Sequence, residues 1–202
     1  MNIHYIMATD TFPGVALSAN YTIAEGTFTV AANKCTGASS GATGDIYGYR
    51  NSEAYADDQY SKVNITTVLA GSSKYVEIIV RFSGQQGVGS GMNGYLLYTD
   101  GGNSPGCAIS KWVNDVQTDL QQLSSNFTIG SDILIEIIGK NIFIYKNKTR
   151  FGSNQTDSSI LSGGTPGIGC TVGGAFNTAE FGNCAYPFAL WKPDALRSQI
   201  TR

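Results

Sequence analysis

Charge is scarce in this chain of 202 residues: Asp, Glu, Lys and Arg supply 14 %, against roughly 25 % in soluble domains, so its surface rests on Ser, Thr, Asn, Gln and Gly. Surfaces of that kind are common in extracellular and virion proteins. No run of Lys or Arg could neutralise a series of phosphates, and the net charge is -2, which argues against nucleic acid as a partner. No apolar stretch approaches the roughly 20 residues that span a bilayer, and residues 1–9 lack the charged and apolar regions of a secretory leader, so membrane insertion is not expected.

Histidine is limited to His4, which withholds a general base from Gly37-Ala38-Ser39-Ser40-Gly41. That stretch spells G-x-S-x-G, but the hydrolase elbow needs a strand-turn-helix setting and a later histidine. His4 itself reads as a solvated or packing residue, not a metal ligand. Gly89-Ser90-Gly91-Met92-Asn93-Gly94 spells G-x-G-x-x-G, yet no helix follows to present its N-terminus to a phosphate, so a flexible loop is expected there. Cysteines number four, Cys35, Cys107, Cys170 and Cys184, without a C-x-x-C pair, which removes zinc spacing. Buried free thiols of a chain made in a reducing cytosol are expected, with two disulfides as the alternative. Five sequons, at Asn20, Asn64, Asn126, Asn147 and Asn154, would matter only in a secretory pathway.

Helical periodicity is nearly absent, whereas period-two alternation recurs between clusters of Gly, Asn, Ser and Asp. Residues 74–83 are the clearest strand: Val76, Ile78, Val80 and Phe82 are predicted to face a core, with Tyr75, Glu77, Ile79 and Arg81 on the other side. Residues 132–138 and 141–146 form a predicted hairpin turned at Gly139-Lys140. Residues 60–68 alternate a buried and a wetter face. Further strands are expected at 27–31, 94–99, 108–112, 119–123, 167–172 and 178–184, a number that needs two sheets or a barrel. The expected organisation is an N-terminal segment (1–9), an antiparallel all-β sandwich (10–184) and an extension (185–202), where Pro187 and Pro193 remove ladder donors. The extension reads as a docking arm or as a strap on its own domain.

The order of local patterns resembles the concanavalin A-like lectin/glucanase superfamily, in particular its laminin-G-like jelly rolls. The opening fragments are Asp10-Thr11-Phe12-Pro13-Gly14, Asn20-Tyr21-Thr22 and Gly26-Thr27-Phe28-Thr29-Val30; Val80-Arg81-Phe82, Gly94-Tyr95-Leu96-Leu97-Tyr98 and Ile109-Ser110-Lys111 follow. The closing ones are Gly164-Thr165-Pro166-Gly167-Ile168-Gly169 and Ala179-Glu180-Phe181. The resemblance covers about residues 10–184 and implies two curved antiparallel sheets. It further implies a calcium ion held near the chain ends, with Asp10 and Glu180 in similar places; solvated carboxylates are the alternative.

Catalysis is not expected. The Glu-x-Asp-x-Glu triplet of the superfamily's glucanases is missing, and Asp132 and Glu136 on one strand would stand about 13 Å apart, against about 5 to 9.5 Å for paired glycosidase carboxylates. A pair from different strands, such as Glu77 with Glu136, stays open. For a sugar, Tyr75, Glu77, Arg81 and Trp112 are the candidate binding residues, with Tyr47, Tyr49 and Tyr55 clustered in a loop-like region. The expected function is a non-enzymatic lectin-like structural or adhesion module of a virion, such as a phage decoration, fibre or tail protein, oligomeric in its assembly and docked to other virion proteins through the C-terminal arm. The alternatives are a secreted carbohydrate-binding module of an extracellular protein and a glycoside hydrolase with an atypical site.

Overall fold

A computed structural model describes residues 7–39, 44–67, 75–85, 88–100, 106–125 and 127–184. The extension at 185–202 and most of the N-terminal segment lie outside the described residues. Among the described residues every regular element is a strand: β1 (Met7–Asp10), β2 (Tyr21–Glu25), β3 (Thr27–Ala31), β4 (Lys34–Ser39), β5 (Asp45–Arg50), β6 (Gln59–Thr67), β7 (Tyr75–Gln85) and β8 (Val88–Asp100). The second half supplies β9 (Cys107–Val113), β10 (Val116–Gln122), β11 (Asp132–Ile138), β12 (Asn141–Lys146), β13 (Thr149–Arg150), β14 (Gln155–Thr156), β15 (Thr165–Thr171) and β16 (Ala175–Asn183). No helix among them is long and apolar enough to cross a membrane.

The strands form two antiparallel sheets. One runs β13-β12-β11-β6-β16-β4-β3, with β1 also on β16 and β14 also on β12; the other runs β10-β9-β8-β7-β15-β5-β2. Alternation explains why they stack. Ile133, Ile135 and Ile137 of β11, Ile142 and Ile144 of β12, and Val63 and Ile65 of β6 turn toward Val76, Ile78 and Val80 of β7 and Leu97 and Ile109 of β8 and β9, all buried in one shared core. β1 pairs with β16, so the sandwich takes in at least Met7–Asp10, three residues beyond the boundary expected from sequence.

Turn chemistry decides several boundaries. The expected hairpin at Gly139-Lys140 is present, with Ile138 opposite Asn141 and a φ of 56° at Gly139. Three further two-residue turns, Ala32-Asn33, Asn114-Asp115 and Asn147-Lys148, hold both residues at positive φ, as a type I′ hairpin requires. Two expectations need correction. Residues 89–94, expected as a flexible loop, belong to β8, where Gly89 and Gly91 take positive φ inside a bulged strand. Residues 45–50, expected as loop-like, form β5 between β15 and β2, because their backbone groups pair with segments far away in sequence.

Candidate functional site

The face of the seven-stranded sheet that points away from the shared core carries a cleft of about 340 Å³, lined by Asp45, Tyr75, Glu77, Tyr98, Gln117 and Asp119. Register builds it. Val76 and Ile78 occupy the core, so Tyr75 and Glu77 emerge on the opposite side of β7. Glu77 stands opposite Tyr98 on β8 and opposite Gly169 on β15, and Gly169 in turn stands opposite Tyr47 on β5. A Cβ at Gly169 would lie 2.7 Å from the Tyr47 ring and 3.1 Å from the Glu77 carboxylate, so glycine lets these side chains meet above β15. Tyr75 and Tyr98 meet edge to face, with ring centroids 5.0 Å apart and planes at 69°.

The cleft is acidic, and its carboxylates differ. Asp119 is held by polar neighbours: the Ser110 hydroxyl and the Gln122 amide donate to it, and the Tyr98 hydroxyl donates at 3.4 Å. Glu77 is only 2 % exposed, hydrogen-bonds with Tyr47, and leaves its Oε2 without a partner. Burial, reinforced by the Asp45 charge, pushes the Glu77 carboxyl well above the usual carboxylate range. Tyr47 donates to Asp45 Oδ2 at 3.3 Å, and burial with the Glu25 charge pushes Asp45 up to about 6 against that hydrogen bond. Glu77, Tyr47 and Asp45 therefore form a polar chain in which Glu77 holds its proton more tightly than an exposed carboxyl. Burial and then Asp119 likewise push the Tyr98 phenol up to about 12.

No family model and no curated protein matches the chain in sequence. Solved structures do match in shape. The carbohydrate-binding module CBM66 from Bacillus subtilis shares 17 % identity, with 81 % of this chain and 95 % of that chain covered and a TM-score of 0.61. The VIP36 exoplasmic/lumenal domain, in a form bound to Ca2+ and Man3GlcNAc, shares 9 % identity over 88 % of this chain and 89 % of that one, with a TM-score of 0.63. A native glycosidic hydrolase shares 10 % over 87 % and 94 %, with a TM-score of 0.60. The fold is the concanavalin A-like jelly roll.

Within this jelly roll the four sugar candidates from sequence part company. Tyr75 and Glu77 line the cleft. Trp112 is 7 % exposed and packs with Ile79, Phe82, Met92 and Leu96, opposite the cleft residue Gln117 but not itself lining the cavity. Arg81 does not share the face of Tyr75 and Glu77, which corrects the simple alternation. Between the pairs Val80–Tyr95 and Ser83–Asn93, β7 advances three residues while β8 advances two, and Arg81 sits in this bulge at a φ of 53°. The extra residue turns Phe82 to the outer face and Arg81 inward. There the Arg81 Nε donates to the Asp57 carbonyl at 2.8 Å, Nη1 donates to the Ile160 carbonyl at 2.7 Å, and its backbone N–H donates to Gln59 Oε1 at 2.9 Å.

The calcium candidates do not form one site. Asp10 faces Ala179 and Thr9 faces Glu180, so the two carboxylates project from opposite faces of the sheet. Asp10 Oδ1 accepts the Phe12 N–H at 2.7 Å, while Glu180 accepts the Tyr60 hydroxyl at 3.0 Å and pairs with Lys62 at 3.6 Å. Glu77 and Glu136 are likewise not a pair: Glu136 alternates with the core residues Ile135 and Ile137 of the nine-stranded sheet, so it points out of the opposite face of the jelly roll. Sequence reasoning missed Asp45, Tyr98, Gln117 and Asp119 as a group. Tyr98 comes to stand beside Glu77 only through the pairing of β7 with β8, a register that is not local.

Proposed function

We propose that this jelly roll is a non-enzymatic, lectin-like carbohydrate-binding module and that the cleft on the seven-stranded sheet is its sugar site. One observation carries the reading: two tyrosine rings in edge contact stand beside Asp45, Glu77, Gln117 and Asp119 in one cleft, so an apolar sugar face and its hydroxyls are both provided for. The fold supports it, since a carbohydrate-binding module and a glycan-bound luminal domain share the shape, although fold by itself assigns no function. The proposed setting is the surface of a virion or another extracellular assembly, which the sparse charge of the chain favours; co-purification with capsid or tail proteins checks it. A glycan array followed by calorimetry tests the site: Tyr75→Ala should weaken the best ligand at least about tenfold, or about 1.4 kcal/mol. Unchanged binding by that variant would move the site elsewhere.

A second reading, a glycoside hydrolase, is favoured by one feature. Glu77 and Asp45 meet through Tyr47 in a cleft, with Glu77 biased toward its protonated form. Release of reducing ends from a polysaccharide panel, abolished by Glu77→Gln, would establish that reading and displace the first.

A further inference from the structure

Asp45, Glu77 and Asp119 put three carboxyl groups in one cleft, and Glu77 makes the arrangement specific. Glu77 lines the cavity, its Oε2 is buried without a hydrogen-bond partner, and its other contact, Tyr47, is engaged with Asp45. Among the described lining residues none is basic. A neutral sugar hydroxyl can hydrogen-bond with Glu77 but brings no charge to set against the burial and the Asp45 charge that keep the proton on it. An ammonium group supplies three donors and a positive charge, so it satisfies Oε2 and offsets both carboxylates at once. Tyr75 and Tyr98 stand at the same cleft, where an apolar ring face can lie against them.

We propose that the cleft selects sugars bearing a free primary amine, that is, 2-amino-2-deoxyhexose units left unacetylated, with the ammonium held by Glu77 and Asp45 and the ring against Tyr75 and Tyr98. The proposal rests on the sugar-binding reading of the same cleft. It excludes sialylated and uronic acid ligands, whose carboxylates would face Asp45, Glu77 and Asp119. Binding draws Glu77 toward its ionised form, opposing the burial that favours its protonated one.

Calorimetry on the full chain at pH 6 and low salt provides the test, with a β-1,4-linked glucosamine trisaccharide and its fully N-acetylated counterpart as probes. The amine form should bind at least about tenfold more tightly, or about 1.4 kcal/mol. Glu77→Gln should bring the amine form down to the level at which the parent chain binds the acetylated form. Asp119→Asn, at an exposed position, should weaken the amine form in the same direction and serves if the buried variant does not fold. Equal or tighter binding of the acetylated probe overturns the proposal, as does equal binding of spermine, a polyamine without sugar rings. If neutral sugars bind on the array and the amine adds nothing, this inference fails and the sugar-binding reading stands. If no glycan of any kind binds, both fail.

Discussion

Glu136 and Arg81 show how single residues carry cost and constraint in this sandwich. Glu136 is 1 % exposed on the outer side of the nine-stranded sheet, and burial pushes it up to about 7, against the opposing pull of Tyr145, Cys184 and Arg150. The folded chain thus binds a proton there that the unfolded chain has already released above the usual value of 4.5. Stability must fall as pH rises from about 4.5 through about 7, by on the order of 3 kcal/mol at 1.36 kcal/mol per unit. Glu136→Gln should flatten that part of a melting temperature against pH profile and raise the melting temperature at pH 8; a profile as steep as the parent's would contradict this. Arg81 ties Asp57 and Ile160 to β7 through two carbonyls. Arg81→Ala leaves both carbonyls without this donor and opens a buried void, so urea titration should show a loss of about 3 kcal/mol. A change within the error of the titration would mean that the guanidinium contributes nothing net.

At the scale of elements, the turns explain which strands were legible. The hairpin at Gly139-Lys140 announces itself because glycine accepts the positive φ, whereas Ala32-Asn33 and Asn147-Lys148 place ordinary side chains in that region and give no comparable signal. β4 was therefore missed as a strand, although β3 before it was expected at the right residues. Replacing the second turn residue tests the strain: Lys148→Gly, at a φ of 70°, should stabilise the chain by about 1 kcal/mol, read as a rise in denaturation midpoint. A drop would show that Lys148 contributes contacts worth more than the backbone relief. The strand at 74–83 was legible up to Val80. Its alternation then fails at the bulge, since one inserted residue exchanges the faces of everything after it.

For the whole molecule, the shared core accounts for the cysteines as well as for the isoleucines. All four are buried and unpaired, one of the two states the sequence left open, and burial pushes the Cys35, Cys107, Cys170 and Cys184 thiols up. A thiol reagent should label none of them in native buffer and all four in guanidinium without a reductant. Labelling of two or fewer after unfolding would reveal a disulfide. The labelling rate in native buffer would in turn report how often the sandwich opens.

What the sequence determined by itself was the class of the fold. Alternating β-branched runs punctuated by glycine and asparagine bury their apolar face by stacking against another sheet. Only the tertiary structure decided where the cleft lies and which residues share it. Asp45, Glu77, Tyr98 and Asp119 come from four strands, and only non-local pairing through β15, β8 and β9 aligns them. Side-chain direction is a property of each strand; registration between strands is a property of the assembled sheet, and one bulge at Arg81 was enough to separate two residues that simple alternation had put side by side.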